Sequence, residues 1–197
     1  MSSIQIAGNT SGTITLDAPA VAGTTTLTLP TTSGTIITTG NIPTGSVLQV
    51  VQAIKTNKFT TTSGTYVDIT GYSATITPSS DSSKILVMST FSVSGGTNGS
   101  YPRTQLLRGS TPLGLGDAGG SATQVTTTSS NTNSAAPDIF SVAYTYLDSP
   151  ATTSATTYKW QLASFSSRTS TFNGSDGTAS SNYYNASSTI ILMEIKG

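Results

Sequence analysis

Hydrophobic residues alternate with threonine at the start of the chain, in a unit that repeats every eleven residues. Gly12, Gly23, Gly34 and Gly45 mark the interval. Positions two, four and six after the first three glycines are Ile14, Leu16 and Ala18, then Thr25, Leu27 and Leu29, then Ile36, Thr38 and Gly40. Alternation with a period of two is typical of a strand with one apolar edge, and the repeated glycine and proline close each strand with a turn. The pattern therefore predicts a repetitive β segment over residues 1–45.

A repeat unit of this size needs neighbours, because a short strand or hairpin on its own is marginally stable in water. The neighbours could be further repeats of the same chain, as in a solenoid, or the same repeats of other chains wound about one axis, as in a fibrous shaft. A flexible linker rich in Gly, Thr and Ser is the third interpretation. In the shaft interpretation, the candidate core positions are Ile14, Leu16, Leu27, Leu29 and Ile36.

From Val47 onward, denser apolar runs alternate with segments rich in turn-forming residues. Eight or nine short strands in about 150 residues predict a β-sandwich or jelly roll. The whole chain is expected to be all-β, with a shaft or attachment segment at 1–45 and a head domain at 46–197. The predicted strands are Val47–Ile54, Tyr66–Thr70, Ser73–Thr77, Lys84–Val93, Arg103–Arg108, Ala122–Thr128, Ile139–Leu147, Thr157–Phe165 and Thr189–Lys196.

The composition agrees with a folded β protein. Roughly a third of the residues are Ser or Thr and only 8% are charged, against about 25% in ordinary soluble domains. The net charge is zero and 35% of the residues are hydrophobic, which is unlike a disordered chain. Solubility must then come from hydroxyl and amide groups, and β-branched threonine favours strands. The eight basic residues are scattered along the chain, which argues against nucleic acid as a partner.

The sequence offers little catalytic chemistry. It has no histidine and no cysteine, which excludes a Ser-His-Asp triad and any cysteine-based metal or redox site. Most of its aspartates lie in turn contexts, where a carboxylate bonds nearby backbone N–H groups. The longest apolar run, Ile190–Met193, is far shorter than the roughly 20 residues of a membrane helix, and Met1 is followed by polar residues rather than by a signal peptide. We expect no enzyme activity, no metal, no cofactor and no membrane insertion.

Aromatic residues are the remaining informative class. Those inside predicted strands, such as Phe165, are expected in the core. Tyr101, Phe172, Tyr183 and Tyr184 lie in loop-like sequence, where a large amphipathic ring is uncommon without a contact to make. Sugar rings stack on such side chains, so these four residues are candidates for receptor binding. Packing against their own loop or against a neighbouring subunit is the alternative.

Two parts of the chain resemble known virion proteins. Ser11–Gly40, SGTITLDAPAVAGTTTLTLPTTSGTIITTG, resembles the repeat near the start of many tail-fibre and related virion proteins of bacteriophages. Tyr144–Gln161, YTYLDSPATTSATTYKWQ, with the closing Ile190–Ile195, IILMEI, is similar to the C-terminal sandwich domain of such proteins. The resemblance implies a homotrimer carried on the virion, with a trimeric jelly roll similar to tumour-necrosis-factor-like heads. It supplies no binding residues.

The leading hypothesis is a trimeric phage tail fibre or fibre tip that contacts other virion proteins and binds the host cell surface, where polysaccharide is the expected receptor. A capsid decoration or head fibre without a receptor role is the alternative, and a polysaccharide depolymerase is a distant one. Loops gather at the ends of an antiparallel sandwich. We therefore expect Gly95–Pro102 and Ser166–Ser188 to contribute to a receptor-binding surface at the free end or side of the head.

Overall fold

The chain folds as two compact units, Met1–Gly40 and Asn41–Gly197. The described residues form strands and turns, and none of them lies in a helix that could cross a membrane. The prediction of an all-β protein is therefore confirmed. The computed structural model describes residues 3–7, 11–17, 23, 24, 26, 31–34, 37, 38, 40–95, 101–129, 139–165, 167–175 and 184–197.

The first unit contains one antiparallel hairpin. Strand β1 (Ser3–Ala7) pairs with β2 (Thr13–Asp17), and Gly12 precedes β2 with a φ of 84°, a left-handed conformation that glycine adopts without strain. Strand β2 coincides with the first sequence repeat, so the backbone of Ile14 and Leu16 belongs to a strand. The other proposed shaft-core positions, Leu27, Leu29 and Ile36, lie outside the described residues.

The second unit is a sandwich of two antiparallel sheets. Its strands are β3 (Val47–Lys55), β4 (Phe59–Thr61), β5 (Val67–Ile76), β6 (Lys84–Gly95), β7 (Arg103–Arg108), β8 (Thr111–Leu113), β9 (Thr127–Thr128), β10 (Ile139–Asp148), β11 (Thr156–Ala163), β12 (Ser170–Phe172) and β13 (Ser188–Ile195). The first sheet has the order β3-β13-β6-β10; the short strand β12 pairs with β6 beyond the end of β13, and β4 pairs with β12. The second sheet has the order β5-β11-β7, and β8 and β9 both pair with the outer edge of β7. Neighbouring strands are mostly distant in sequence, as in a jelly roll.

The sandwich has two ends, which we call the base and the distal end. At the base, the incoming chain is fixed to the end of β13: the Gly45 N–H donates to the Lys196 carbonyl at 2.8 Å, and the Lys196 N–H donates to the Ser46 carbonyl at 2.9 Å. Strands β3 and β4 run from the base to the distal end, and β5 runs back. The distal end therefore collects the segments after β4, after β6 and after β11.

Aromatic rings fill the space between the sheets. The ring of Phe91 lies 4.8 Å from that of Trp160 and 5.4 Å from that of Phe172, and Tyr72 lies 4.8 Å from Phe172. Trp160 is fully buried, and its Nε1–H donates to the Ser89 hydroxyl at 2.9 Å. Because a buried indole N–H needs an acceptor, this single serine makes the tryptophan compatible with the core.

The sequence pattern located most of the long strands and missed the short ones. Tyr66–Thr70 and Ser73–Thr77 were predicted as two strands but form one, β5, with Gly71 inside it. The prediction of Ala122–Thr128 is wrong except for its last two residues, which form β9. The strands that the pattern did not predict in the sandwich are β4, β8 and β12, each of three residues. A run this short does not show alternation, so only its pairing with a neighbour defines it.

Candidate assembly and binding surfaces

The outer surface of the β3-β13-β6-β10 sheet is apolar toward the base. Directly paired residues of an antiparallel sheet point to the same side, so the register defines rows of side chains on this surface. The row of Val50, Met193, Leu86 and Leu147 is apolar across all four strands. The next row toward the distal end adds Ile191 and Met88, beside Gln52 and Thr145, and the row after it adds Ile54. Val50, Ile54 and Leu147 are each at least half exposed. We call this surface the apolar face; it consists of Val50, Ile54, Leu86, Met88, Leu147, Ile191 and Met193.

The outer surface of the second sheet is polar. Lys159 Nζ donates to Asp68 Oδ2 and Gln161 Nε2 donates to Asp68 Oδ1, both at 2.8 Å, and the hydroxyls of Thr75 and Thr157 are 2.7 Å apart. The hydrogen bonds from Lys159 and Gln161 hold the pKa of Asp68 below its ordinary value. A sheet face in contact with water normally carries such residues. The apolar face therefore differs from the outer surface of the second sheet, and contiguous exposed apolar patches mark interaction surfaces.

Along β6, the outward-facing residues change from apolar to hydroxyl-bearing. Leu86 and Met88 belong to the apolar face, whereas Thr90, Ser92 and Ser94 follow on the same side of the strand toward the distal end. On β13, Thr189 follows Met193 and Ile191 in the same way, whereas the outer side of β10 alternates between Leu147, Thr145, Ala143 and Ser141. The outer surface of this sheet therefore has an apolar half near the base and a hydroxyl-rich half near the distal end.

A pocket of about 270 Å³ opens in the hydroxyl-rich half. Ser141 lies directly opposite Ser92 and Ala143 directly opposite Thr90, and Ser187 closes a third side. Ser92 is 5% exposed, and its hydroxyl has no hydrogen-bond partner among the described residues. No charged side chain lines the pocket. We call it the hydroxyl pocket.

Two aromatic rings are exposed together at the distal end. Tyr101 and Phe165 are 40% and 49% exposed, and their rings meet edge to face with centroids 5.6 Å apart. Beside them, Arg103 donates from one terminal nitrogen to the carbonyls of Gly64 and Ser164, at 2.9 and 3.1 Å. The expectation that Phe165 belongs to the core is wrong, because β11 ends two residues before it. We call Tyr101 and Phe165 the distal aromatic pair.

The other receptor candidates have different positions. Phe172 is fully buried, because β12 lies beside β6 and directs this ring into the core, so its interpretation as an exposed ring is wrong. Tyr184 is 62% exposed, and Tyr183 lies outside the described residues. The described part of Ser166–Ser188 is not simply a loop: after β12, the Ser175 N–H donates to the Tyr184 carbonyl at 3.1 Å, as in a hairpin.

The one glutamate is a structural group at the base. Glu194 is fully buried and accepts hydrogen bonds from the Ser79 N–H at 2.7 Å, from the Ser79 and Ser83 hydroxyls at 2.6 Å each, and from Gln49 Nε2 at 2.6 Å. Burial alone raises the pKa of Glu194, but these hydrogen bonds together outweigh burial and lower it to about 2. The carboxylate therefore ties β13 to the segment between β5 and β6.

Asp148 closes the interior at the base with an ion pair rather than capping a turn. Arg108 donates to both of its oxygens at 2.8 Å, and the Tyr158 hydroxyl donates to Oδ2 at 2.6 Å. Burial, together with the adjacent carboxylate, raises the pKa of Tyr158. Within the described part of the chain, no three acidic, histidine or cysteine residues are grouped so that they could hold a metal ion.

No protein-family model matches the chain, and a comparison with curated proteins gives no match. Function is therefore inferred from three surfaces of the molecule itself. These are the apolar face, the hydroxyl pocket and the distal aromatic pair.

Proposed function

We propose that the protein is a structural virion protein of a bacteriophage, a trimeric tail fibre or fibre tip that binds the host cell surface. The apolar face is the observation that carries this proposal, because it gives the head domain a surface for association with other copies. The resemblance of Ser11–Gly40 and Tyr144–Gln161 to phage fibre proteins supports the location on a virion.

A second and a third copy of the same chain are the partners that fit the apolar face. Fully burying a Val, Leu, Ile or Met side chain that starts fully exposed contributes about 1.5–3 kcal/mol. Val50, Ile54, Met88 and Leu147 are 38–58% exposed and the other three residues of the face are half-buried, so each contributes roughly half of that figure or less. Summed over the copies that meet, this burial is of the same order as the roughly 4–15 kcal/mol lost when separate chains associate. The seven residues carry no charge, and Lys84 lies in the next row on the same side, toward the base.

The N-terminal unit supports assembly independently. Every side chain of this unit whose burial the structure gives is exposed, including Ile6 at 54% and Ile37 at 61%. A two-stranded hairpin on its own is marginally stable in water. The same segments of other chains would supply the missing contacts, as in a fibrous shaft.

The exposed aromatic side chains of the head support host binding. Tyr101 and Phe165 form the distal aromatic pair, and Tyr184 is exposed separately. Exposed rings of this kind stack against sugar rings, and three heads on one fibre would add weak contacts through avidity. Low affinity at each copy is therefore compatible with firm adsorption.

Light scattering on the purified full chain tests the assembly. We expect a particle with three times the chain mass of 20.0 kDa, and a stable monomer would contradict the trimer. Imaging of whole virions with a specific antibody tests the location. Label at the tail is the expected result, and label on the shell would favour a capsid decoration or head fibre instead.

A further inference from the structure

Three buried hydroxyls beside the hydroxyl pocket have no hydrogen-bond partner among the described residues: those of Ser92, Ser94 and Thr171. They are neighbours, because Thr171 lies directly opposite Ser94 and Ser92 is two residues away on the same side of β6. A buried hydroxyl without a partner destabilises a protein by about 1–3 kcal/mol. Groups that reduce stability in this way are expected where a function needs them.

The pocket above Ser92 has a defined chemistry. Its walls carry the hydroxyls of Thr90, Ser141 and Ser187, each of which donates and accepts hydrogen bonds, and the methyl groups of Ala143 and Ala186. A ligand that matches this lining has hydroxyls of its own, a small apolar surface and no charge. The volume of about 270 Å³ lies just below the range of pockets that hold drug-sized ligands, so it suits a single ring.

We propose that the hydroxyl pocket binds one neutral sugar residue, and that the Ser92 hydroxyl, which is covered in the unbound structure, becomes a hydrogen-bond partner when the sugar enters. The inference rests on the proposed host-binding function only for the origin of the sugar, a residue within a surface polysaccharide rather than a free monosaccharide. The pocket lies distal to the rows of Leu86 and Met88, and Ile54, which shares a row with the pocket residue Thr90, stands two strands away from it. A copy packed on the rows of Leu86 and Met88 is therefore expected to leave the pocket open.

Saturation-transfer NMR on the full chain tests this site. The probes are D-glucose, D-galactose, D-mannose and N-acetyl-D-glucosamine, each titrated alone, and neutral dextran and mannan as polysaccharides. We expect at least one probe to bind, with stronger binding of the polymer than of its monosaccharide if the natural source is a polysaccharide. No binding by any probe would overturn the proposal.

Three variants locate the site. Ser92→Ala removes this buried hydroxyl and is expected to weaken binding about two- to tenfold, the effect of one neutral hydrogen bond. Ala143→Leu fills the pocket without removing a hydrogen-bonding group and is expected to abolish binding. Ser73→Ala, an exposed serine on the outer surface of the other sheet, is the matched control and should bind like the wild type. Equal binding by Ser92→Ala and Ala143→Leu would place the sugar elsewhere and overturn the proposal.

Stability measurements separate a binding role from a structural one. Ser92→Ala should leave stability unchanged or increase it, because the hydroxyl lacks a partner, whereas Ser89→Ala on the same strand should decrease it by leaving the Trp160 N–H without an acceptor. A decrease for Ser92→Ala that matches that of Ser89→Ala would overturn the proposal, as would a crystal structure grown with a bound probe in which Ser92 contacts ordered water only.

Light scattering on the same samples distinguishes failure of this site from failure of the fibre proposal. If the chain is a trimer but binds no neutral sugar, the pocket proposal fails and the proposed assembly stands. A monomer that binds sugar through Ser92 would contradict the trimer and leave the site intact.

Discussion

Two phenylalanines close together in the sequence have opposite environments. Phe165 continues an apolar run and was expected in the core, yet it is 49% exposed; Phe172 stands among polar residues and was expected at the surface, yet it is fully buried. The difference follows from strand positions, because β11 ends before Phe165 and β12 carries Phe172 against β6. Local sequence contains the residue type but not the position of the neighbouring strand.

Alanine substitutions at these two positions should therefore differ strongly. Phe172→Ala leaves a cavity among Tyr72 and Phe91 and is expected to lower the free energy of unfolding by about 3–5 kcal/mol. Phe165→Ala removes an exposed ring and is expected to change it by less than about 1 kcal/mol. Urea unfolding of both variants measures the difference. Similar losses in both would contradict the assigned burial.

Because of Glu194, the free energy of unfolding is expected to depend on pH in the acid range. Its folded pKa of about 2 lies below the ordinary value of 4.5, so the carboxylate contributes stability that is fully present above pH 4.5 and is lost as the pH falls toward 2. Glu194→Gln should therefore be less stable than the wild type at neutral pH, and its free energy of unfolding should vary less between these pH values. Urea unfolding at a series of pH values measures both effects.

Asp68 provides the control for this pH dependence. Its pKa is also lowered, but its side chain is 52% exposed, so solvent screens its ion pair with Lys159. Asp68→Asn should reduce the loss of unfolding free energy at acid pH only slightly. A larger effect for Asp68→Asn than for Glu194→Gln would show that the buried carboxylate is not the main acid-sensitive group.

At the scale of strands, β5 shows how an element can be divided in the sequence and continuous in the structure. The sequence pattern predicted two strands on either side of Gly71, but this glycine lies inside one strand with a φ of 79°, where the pairing with β11 shifts register next to Trp160. A glycine in the left-handed conformation is one way in which a strand accommodates such a bulge. The pattern therefore ended a strand where the structure has an irregularity within one.

Gly71→Ala should destabilise the head by about 1–2 kcal/mol, because the left-handed conformation is strained for alanine. The matched control is Gly64→Ala, at a glycine without a positive φ and with open space where the added methyl group would lie. Thermal unfolding of the two variants compares them directly. Equal midpoints would contradict the bulge.

Long alternating strands were predictable because they bury one face, whereas β4 and β12 were not, because their three residues become strands only by pairing with each other and with β6. The hydroxyl pocket depends on the register that places Ser141 opposite Ser92, two residues far apart in the sequence.

The run Ile190–Met193 did contain a readable signal. A strand that is apolar at consecutive positions carries apolar side chains on both of its faces, as β13 does with Ile191 and Met193 on the outer surface.

At the scale of the whole molecule, the two outer surfaces of the sandwich have different chemistry. One is polar and is stabilised by hydrogen bonds around Asp68; the other is apolar toward the base and rich in hydroxyls toward the distal end. If chains associate through the apolar face, the hydroxyl pocket and the distal aromatic pair are expected to stay accessible toward the other end. Under the proposed function, the surface for association and the surfaces for receptor contact then lie toward opposite ends of the head.

A single charge on the apolar face should therefore dissociate the trimer without unfolding its chains. Met88 is 38% exposed in the single chain, so Met88→Lys leaves its ammonium group in water when the chain is alone. In an assembled trimer the same substitution introduces an unpaired charge into each apolar interface, which costs several kcal/mol. Light scattering should then give the 20.0 kDa monomer, and its circular dichroism spectrum should be like that of the wild type.

The control, Thr70→Lys, adds the same charge at an exposed position of the polar surface and should leave the trimer intact. A Met88→Lys variant that stays trimeric would show that the copies associate elsewhere.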